Sequence, residues 1–190
     1  MLETETEYAR VVQDAGSAAE SLEFVNGVLL AIQEEAANFC AGVATRLLQH
    51  VMGDSYGFVF EPKLERGRPG LEPCILKNEL AISPRDETGG GVLDIISLGL
   101  RVALWAVSAE RHSPLFLLDE PGKFLDRSRI PALAEALEEI VSQMALQVVC
   151  VTHLDDLEAL GLSYHIRQKN EISFVDEVTG GVVANLKNKT

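Results

Sequence analysis

A chain of 190 residues is long enough to bury a full hydrophobic core, and it fits one domain with an appendage. Its 47% apolar and 24% charged residues are ordinary for a globular protein, but the net charge of −13 argues against this chain gripping nucleic acid by itself, which takes clustered lysine and arginine. Cys40, Cys74 and Cys150 are far apart, in apolar surroundings and without a CxxC pair, so they read as buried free thiols and not as a zinc site or a disulfide framework.

The N-terminus, Met-Leu-Glu-Thr-Glu-Thr-Glu, is acidic and lacks the basic and apolar regions of a signal peptide. No uninterrupted apolar run approaches the length of a membrane span. The expectation is a soluble intracellular protein, cytoplasmic or nuclear, with no membrane partner.

Along the first quarter, Val11, Ala15, Ala18, Leu22, Val25, Leu29, Ile32, Ala36, Phe39 and Val43 follow one another in alternating steps of four and three. That is a heptad seam sustained for more than four heptads. An amphipathic core helix gives similar patterns but rarely keeps the alternation so long, so residues 1–52 are expected to form a long helix at the root of a coiled coil. Gly16 and Gly27 lie off the seam and weaken the helix by about 1 kcal/mol each relative to alanine. The chain supplies no second strand for such a coil, so the pairing helix is expected from outside it.

Residues 53–190 are expected to form the globular part. Residues 56–60 and 74–80 read as strands, 81–83 as an extension of the second, and the Gly- and Pro-containing stretch 66–73 as a hairpin-type link. Lys63, Arg66 and Arg68 read as a solvated loop in preference to a DNA contact, given the surrounding charge. Gly89-Gly90-Gly91 opens a buried helix over 92–109. A buried strand follows at 115–118, then a helix from about Pro131 with Leu133, Leu137, Ile140 and Met144 on one face. Residues 148–152 form a second buried strand, and 154–160 a short helix closed by Gly161. Short strands at 164–167, 172–175 and 182–186, with turns at Lys169-Asn170 and Gly180-Gly181, complete the chain. Strand–helix–strand alternation implies an α/β fold with parallel pairing and helices covering the faces.

Four features stand at element junctions. Thr88-Gly89-Gly90-Gly91 precedes a long helix, where backbone amides and the helix dipole can receive an anion, although taken alone a flexible Gly-rich loop is the commoner explanation of the glycines. Asp119-Glu120 ends the strand 115–118, and charges at the rim of a core call for a partner such as a bound cation. Gly122-Lys123-Phe124-Leu125-Asp126 leads away from it. His153 ends the second buried strand, where a lone histidine would ordinarily be a capped structural residue.

Taken together, this order and spacing resemble the C-terminal half of an ABC-type ATPase: signature loop, Walker B, D-loop and H-loop. The resemblance covers most of the chain, and it is closer to the Rad50/SMC group than to transporters. The apolar helix containing Ile96-Ser97-Leu98-Gly99-Leu100-Arg101 looks Rad50-like, and Asp119-Glu120-Pro121 points to Rad50 more than to SMC proper. Two departures stand out. The signature reads Thr-Gly-Gly-Gly where the family usually has Ser-Gly-Gly-Gln or Ser-Gly-Gly-Glu, so Gly91 lacks a side chain. No GxxxxGK[ST] occurs, and Gly122-Lys123-Phe124 is a false lead.

The resemblance therefore implies the C-terminal lobe of an ATPase head: a mostly parallel sheet flanked by helices, after a helix at the root of a coiled coil. It implies ATP and Mg²⁺ as cofactors. Asp119 would bind the metal, Glu120 would orient or deprotonate the attacking water, His153 would contact the γ-phosphate, and Asp126 would communicate across a dimer. Thr88, Gly89, Gly90 and Gly91 would grip the nucleotide of the opposite protomer. The implied partners are an N-terminal Walker A lobe on the same or a separate chain, a second head in an ATP-dependent homodimer, a nuclease, and DNA through the full assembly. The implied activity is ATP hydrolysis driving DNA repair or recombination. The alternative is a non-catalytic split or degenerate lobe that acts as a partner-binding module; a transporter fragment fits the helix after Gly91 less well.

Overall fold

The computed structural model describes residues 2–65, 68–85, 89–108 and 113–179. The chain divides into two compact units, Met1–Phe39 and Cys40–Thr190. Helix α1, Leu2–Met52, supplies the first unit. There the seam residues Val11, Leu22, Val25, Leu29 and Ile32 are all more than half exposed.

In the second unit the last turns of α1 carry the opposite environment. Cys40, Ala41, Ala44, Leu47, Leu48 and Val51 recur at helical spacing and are buried. The helix stops at Gly53, whose φ of +101° suits a residue without a Cβ and whose N–H donates to the Gln49 carbonyl at 2.8 Å. Arg129 donates through Nη1 to the carbonyl of Val51 at 2.9 Å, satisfying one of the acceptors left over at the helix end.

Strands β1 (Tyr56–Glu65), β2 (Arg68–Lys77) and β3 (Leu80–Ile82) form an antiparallel sheet in the order β1-β2-β3. Thr45 of α1 docks onto it: its Oγ1 accepts from the Phe58 N–H and donates to the Phe58 carbonyl, each at 2.9 Å. The stretch 68–73, expected as linker, is strand, because β1 and β2 stay in register from Tyr56↔Lys77 out to Glu65↔Arg68. The expected extension of the second strand through 81–83 gives way to a reversal. Asn78 and Glu79 take φ values of 51° and 67°, and Leu80–Ile82 folds back so that Ile82 pairs with Ile75. Two successive left-handed residues led by Asn are the geometry of a two-residue hairpin turn.

Helix α2 (Gly90–Val107), strand β4 (Leu115–Asp119), a 3₁₀ turn at Arg127–Arg129, helix α3 (Ile130–Met144) and strand β5 (Gln147–Val151) follow. Pro131 lies in the first turn of α3, where its missing amide costs no hydrogen bond. At the other end Ala145 adopts the left-handed conformation (φ 51°), and the Gln147 N–H reaches the Pro114 carbonyl at 2.6 Å to begin the pairing of β5 with β4. β4 and β5 are parallel, from Leu115↔Gln147 to Asp119↔Val151, with α3 as crossover. Helix α4 (Asp155–Glu158) leads to an antiparallel hairpin of β6 (Leu162–Lys169) and β7 (Ile172–Thr179), turned at Asn170 and Glu171 with φ 50° and 63°. The expected elements at Gly180-Gly181 and 182–186 lie outside the described residues.

The core of this unit joins α1, β1, β2, α2, β4 and α3 through Leu48, Phe58, Ile75, Ile95, Leu118 and Leu133. A mostly parallel sheet is not what the described residues form: β4–β5 is the one parallel pair, beside two antiparallel sheets. The reason is that the outlying strand runs are joined by short polar turns, which permit hairpins only, whereas the 115–151 segment contains a helix-length crossover. Nor are both faces of the parallel pair covered. Phe116, Leu118, Val148 and Cys150 turn inward, while Leu115, Leu117, Val149 and Val151 are exposed on the other face, Leu117 at 69%.

Helix α2 is long and apolar enough, by length and composition, to cross a membrane, although Asp94 and Arg101 interrupt its apolar run. Its buried positions, among them Ile95, Ile96, Leu98, Val102 and Ala103, belong to the core of the second unit. Cys40 and Cys74 are buried and Cys150 is half-buried; all are free thiols, and burial pushes each one's pKa up.

Candidate functional site

The parallel register of β4 and β5 builds the site. Asp119 is opposite Val151, so the residues just past each strand end emerge side by side. Glu120 follows Asp119, and His153 follows Val151 by two residues. The two side chains meet with His153 Nδ1 3.4 Å from Glu120 Oε1, both substantially open to solvent. Asp119 shares the open face of the sheet with Leu117 and Val149.

Glu120 is held in a costly conformation. Its φ is +45°, in the left-handed region that a residue with a Cβ enters at a cost of about 1–3 kcal/mol. Its N–H donates to the Val151 carbonyl at 2.7 Å, which ties the bend to the neighbouring strand. Its carbonyl accepts from the Lys123 N–H at 3.2 Å, and the Gly122 carbonyl accepts from the Leu125 N–H at 2.9 Å. Gly122 itself has φ +79° and faces Leu133, whose Cδ2 would lie 2.6 Å from any Cβ there. The chain therefore leaves β4 through two tight overlapping turns, and Glu120 is aimed by backbone geometry. On the other strand, the Leu154 N–H donates to Thr152 Oγ1 at 3.1 Å and fixes the exit at His153.

Beside the carboxylates is an open cavity of about 160 Å³, lined by Asp94, Ser97 and Arg101 of α2 together with Asp119, Glu120 and Lys123. Asp94 went unremarked in the sequence, where a single aspartate in an apolar helix carries no motif. Burial holds its carboxyl above the ordinary 3.8, and the nearby Lys123 ammonium acts in the opposite direction.

Of the sequence-derived candidates, Asp119, Glu120 and His153 come together at the strand ends. Gly89 is the N-cap of α2, and Gly90 and Gly91 form its first turn, packed against Phe124 and Leu125. Asp126 is the residue before the 3₁₀ turn, exposed, with its carbonyl accepting from the Arg129 N–H at 2.9 Å. Thr88 lies outside the described residues. Nothing in the identity of Phe124 and Leu125 marks the contact they make with the first turn of α2.

Among the described residues no group of three or more His, Cys, Asp or Glu side chains could hold a metal by itself. The donor set at the strand end, one or two carboxylates open to solvent, nonetheless suits Mg²⁺, which keeps most of its waters and adds phosphate oxygens to a single protein carboxylate.

No family model matches the sequence. Among solved structures, the chain is similar to one from a study of ATP-driven dimerization and DNA-stimulated activation of SMC ATPases, with TM-score 0.62 and 14% identity over 78% of this chain and 89% of that one. It is also similar to the Smc head domain with a coiled coil and joint from Pyrococcus yayanosii (TM-score 0.68, 16% identity, 94% of this chain). A third is the Pyrococcus furiosus Smc head with an extended coiled coil, bound to the C-terminal domain of ScpA (TM-score 0.59, 16% identity, 75% of this chain). The chain spans 34% and 35% of the lengths of the two Pyrococcus chains. In fold, then, it is similar to part of the SMC ATPase heads: a mixed α/β unit preceded by a long N-terminal helix.

Proposed function

We propose that this chain is the C-terminal lobe of an SMC/Rad50-type head ATPase and contributes half of each ATP site. The observation that carries the reading is the meeting of Glu120 and His153 at the ends of two parallel strands, directly after Asp119. A carboxylate with a fixed backbone and an imidazole within hydrogen-bonding range are the parts needed to place a water against a phosphoryl group.

In this reading Asp119 would hold Mg²⁺, which would supply charge neutralisation to the phosphates. Glu120 orients the attacking water and accepts its proton at a carboxylate oxygen. His153 donates a hydrogen bond toward the γ-phosphate. Thr88, Gly89, Gly90 and Gly91 present hydroxyl and amide donors at the start of α2 to a nucleotide held by the opposite protomer. Asp126 faces the dimer partner. Most of the rate enhancement is positioning and charge stabilisation.

The phosphate-cradling Walker A must come from an N-terminal lobe, on the same or another chain. The open face of β4–β5 supports that requirement: parallel strands are normally covered on both sides, and here Leu117, Val149 and Val151 are exposed on one. The exposed heptad seam of α1 likewise suits a pairing helix. The narrower Rad50 assignment, with a nuclease partner, DNA and a role in repair or recombination, rests on Asp119-Glu120-Pro121 and on the apolar α2. The competing reading, a non-catalytic partner-binding lobe, draws on the Thr-Gly-Gly-Gly signature, and the strained, aimed Glu120 favours catalysis over it. The test is ATP turnover by the chain alone and by the assembly containing a Walker A lobe. Turnover in the assembly and almost none in the chain alone is expected; an assembly that binds ATP without hydrolysing it would establish the binding module instead.

A further inference from the structure

Gly90 and Gly91 are two successive helical positions without side chains; Gly90 faces the Phe124 side chain, and Gly91 faces Leu125 and the Phe124 backbone. A Cβ on Gly91 would lie 2.7 Å from Leu125 Cδ2 and 2.9 Å from the Phe124 carbonyl oxygen. One on Gly90 would lie 2.8 Å from Phe124 Cγ. Real carbon contacts sit near 3.5–4.0 Å, so a Cβ at Gly90 requires the Phe124 side chain to move, and one at Gly91 requires the Leu125 side chain and the Phe124 backbone to move. The missing side chain at position 91 is thus not a vacancy, because Leu125 and the Phe124 backbone fill it.

The segment that fills it is packed at its start and held by two turn hydrogen bonds. Gly122 is backed by Leu133 of α3, which is fully buried. Forward of that, the Leu125 N–H is bonded to Gly122 and the Lys123 N–H to Glu120, whose own N–H is bonded to β5. Lys123 adds an electrostatic link to Asp94, one turn further along α2, and lies over the Phe124 ring at 5.1 Å. From Gly91 to Glu120 the path runs through one packed contact and two short hydrogen-bonded turns.

We propose that residues 121–126 and the first turn of α2 act as one mechanical unit within the chain, with Gly91, Phe124 and Leu125 as positioning residues that set the aim of Glu120 according to the placement of the glycine segment. A ligand that engages Gly89–Gly91 amides would then adjust the water-orienting carboxylate of the same chain, some thirty residues away in sequence. The catalytic consequence rests on the ATPase reading; the mechanical linkage does not.

The experiment compares Gly91→Ala, Leu125→Ala and the double variant in the full chain by amide hydrogen exchange. The linkage expects Gly91→Ala to speed exchange at the Lys123 and Leu125 amides about tenfold, together with residues 90–93, and the double variant to return them to the Leu125→Ala rates. Wild-type exchange at Lys123 and Leu125 in Gly91→Ala, or effects that simply add in the double variant, would overturn it. If Gly91→Ala does not fold, Phe124→Ala takes its place, since that ring is 60% exposed: faster exchange in residues 90–93 supports the unit and unchanged exchange refutes it. In the assembled protein with MgATP, Gly91→Ala is expected to lower kcat at least tenfold with KM within twofold, and Leu125→Ala to restore part of it in the double variant; a rise in KM with kcat unchanged contradicts the positioning role. A wild-type assembly without turnover would remove the ATPase reading while leaving the exchange result to decide the linkage.

Discussion

Gly99→Ala offers a test of packing in which the sign of the effect decides. Gly99 is on the buried side of α2, and a Cβ there would lie 2.7 Å from Ala44 Cα, 3.3 Å from Ala44 Cβ and 3.4 Å from Ala44 N. The nearest of these is a backbone atom of α1, and Ala44 is fully buried, so the two helices must separate by roughly 1 Å to reach the 3.5–4.0 Å of a relaxed contact. Overpacking of this kind costs about 1–3 kcal/mol. Alanine returns about 1 kcal/mol of helix propensity. The balance is a loss of up to about 2 kcal/mol, a fall of a few degrees in the melting temperature for a unit of this size. Ala44→Gly should rescue little, because the closest clash is with Cα and not Cβ. Gly27, with nothing within 4 Å, is the control: Gly27→Ala keeps only the propensity gain and should raise helicity. Thermal melts followed by circular dichroism measure both. A Gly99→Ala protein that melts above wild type would refute the close crossing of the two helices.

Thr45→Val removes both hydrogen bonds to Phe58 while keeping the shape, leaving a backbone N–H and carbonyl unpaired at a partly buried site; a loss of about 1–3 kcal/mol by urea unfolding is expected. Leu133→Ala empties a fully buried position beneath Gly122 and should cost about 3–5 kcal/mol, with faster hydrogen exchange at Leu125 as the local signature. Asp94 carries a pH dependence. Its folded-state pKa lies above the ordinary 3.8, so between those two values the folded state binds more protons than the unfolded one, and stability falls as pH rises through that window. Asp94→Asn should flatten this dependence and be the more stable protein at neutral pH; lower stability there would mean that attraction to Lys123 outweighs burial.

Much of the site was legible because it is local. Leu115–Asp119 reads as a buried strand ending on carboxylates, and Gln147–Val151 reads as a second, so helix-length spacing between them dictates a parallel pair and sets Glu120 beside His153. What escaped is what depends on backbone handedness or on contacts between distant segments. Lys77-Asn78-Glu79-Leu80 and Lys169-Asn170-Glu171-Ile172 are nearly the same tetrapeptide and make the same left-handed turn; only the second reads as a turn in the sequence, because the first sits inside a longer apolar run. Gly91 read as a lost side chain because the residues that occupy its space, Phe124 and Leu125, are more than thirty positions away. The expectation of a mostly parallel sheet generalised from the one segment with a crossover to strands whose short links allow only hairpins. The heptad seam was plain from its period, and it is exposed over the first unit because a period names a face without supplying its partner.

The measurement that bears most directly on the central claim is single-turnover hydrolysis of MgATP by the assembled head carrying Glu120→Gln. The substitution keeps the shape and the hydrogen-bonding reach toward His153 and removes only the proton-accepting carboxylate. The chemical step should slow by about 10²–10⁴-fold, the range attributable to a positioned general base, while ATP-dependent association of heads persists. Hydrolysis at the wild-type rate in that variant would contradict the account, and with it the assignment of the carboxylates at the end of β4 to phosphoryl chemistry.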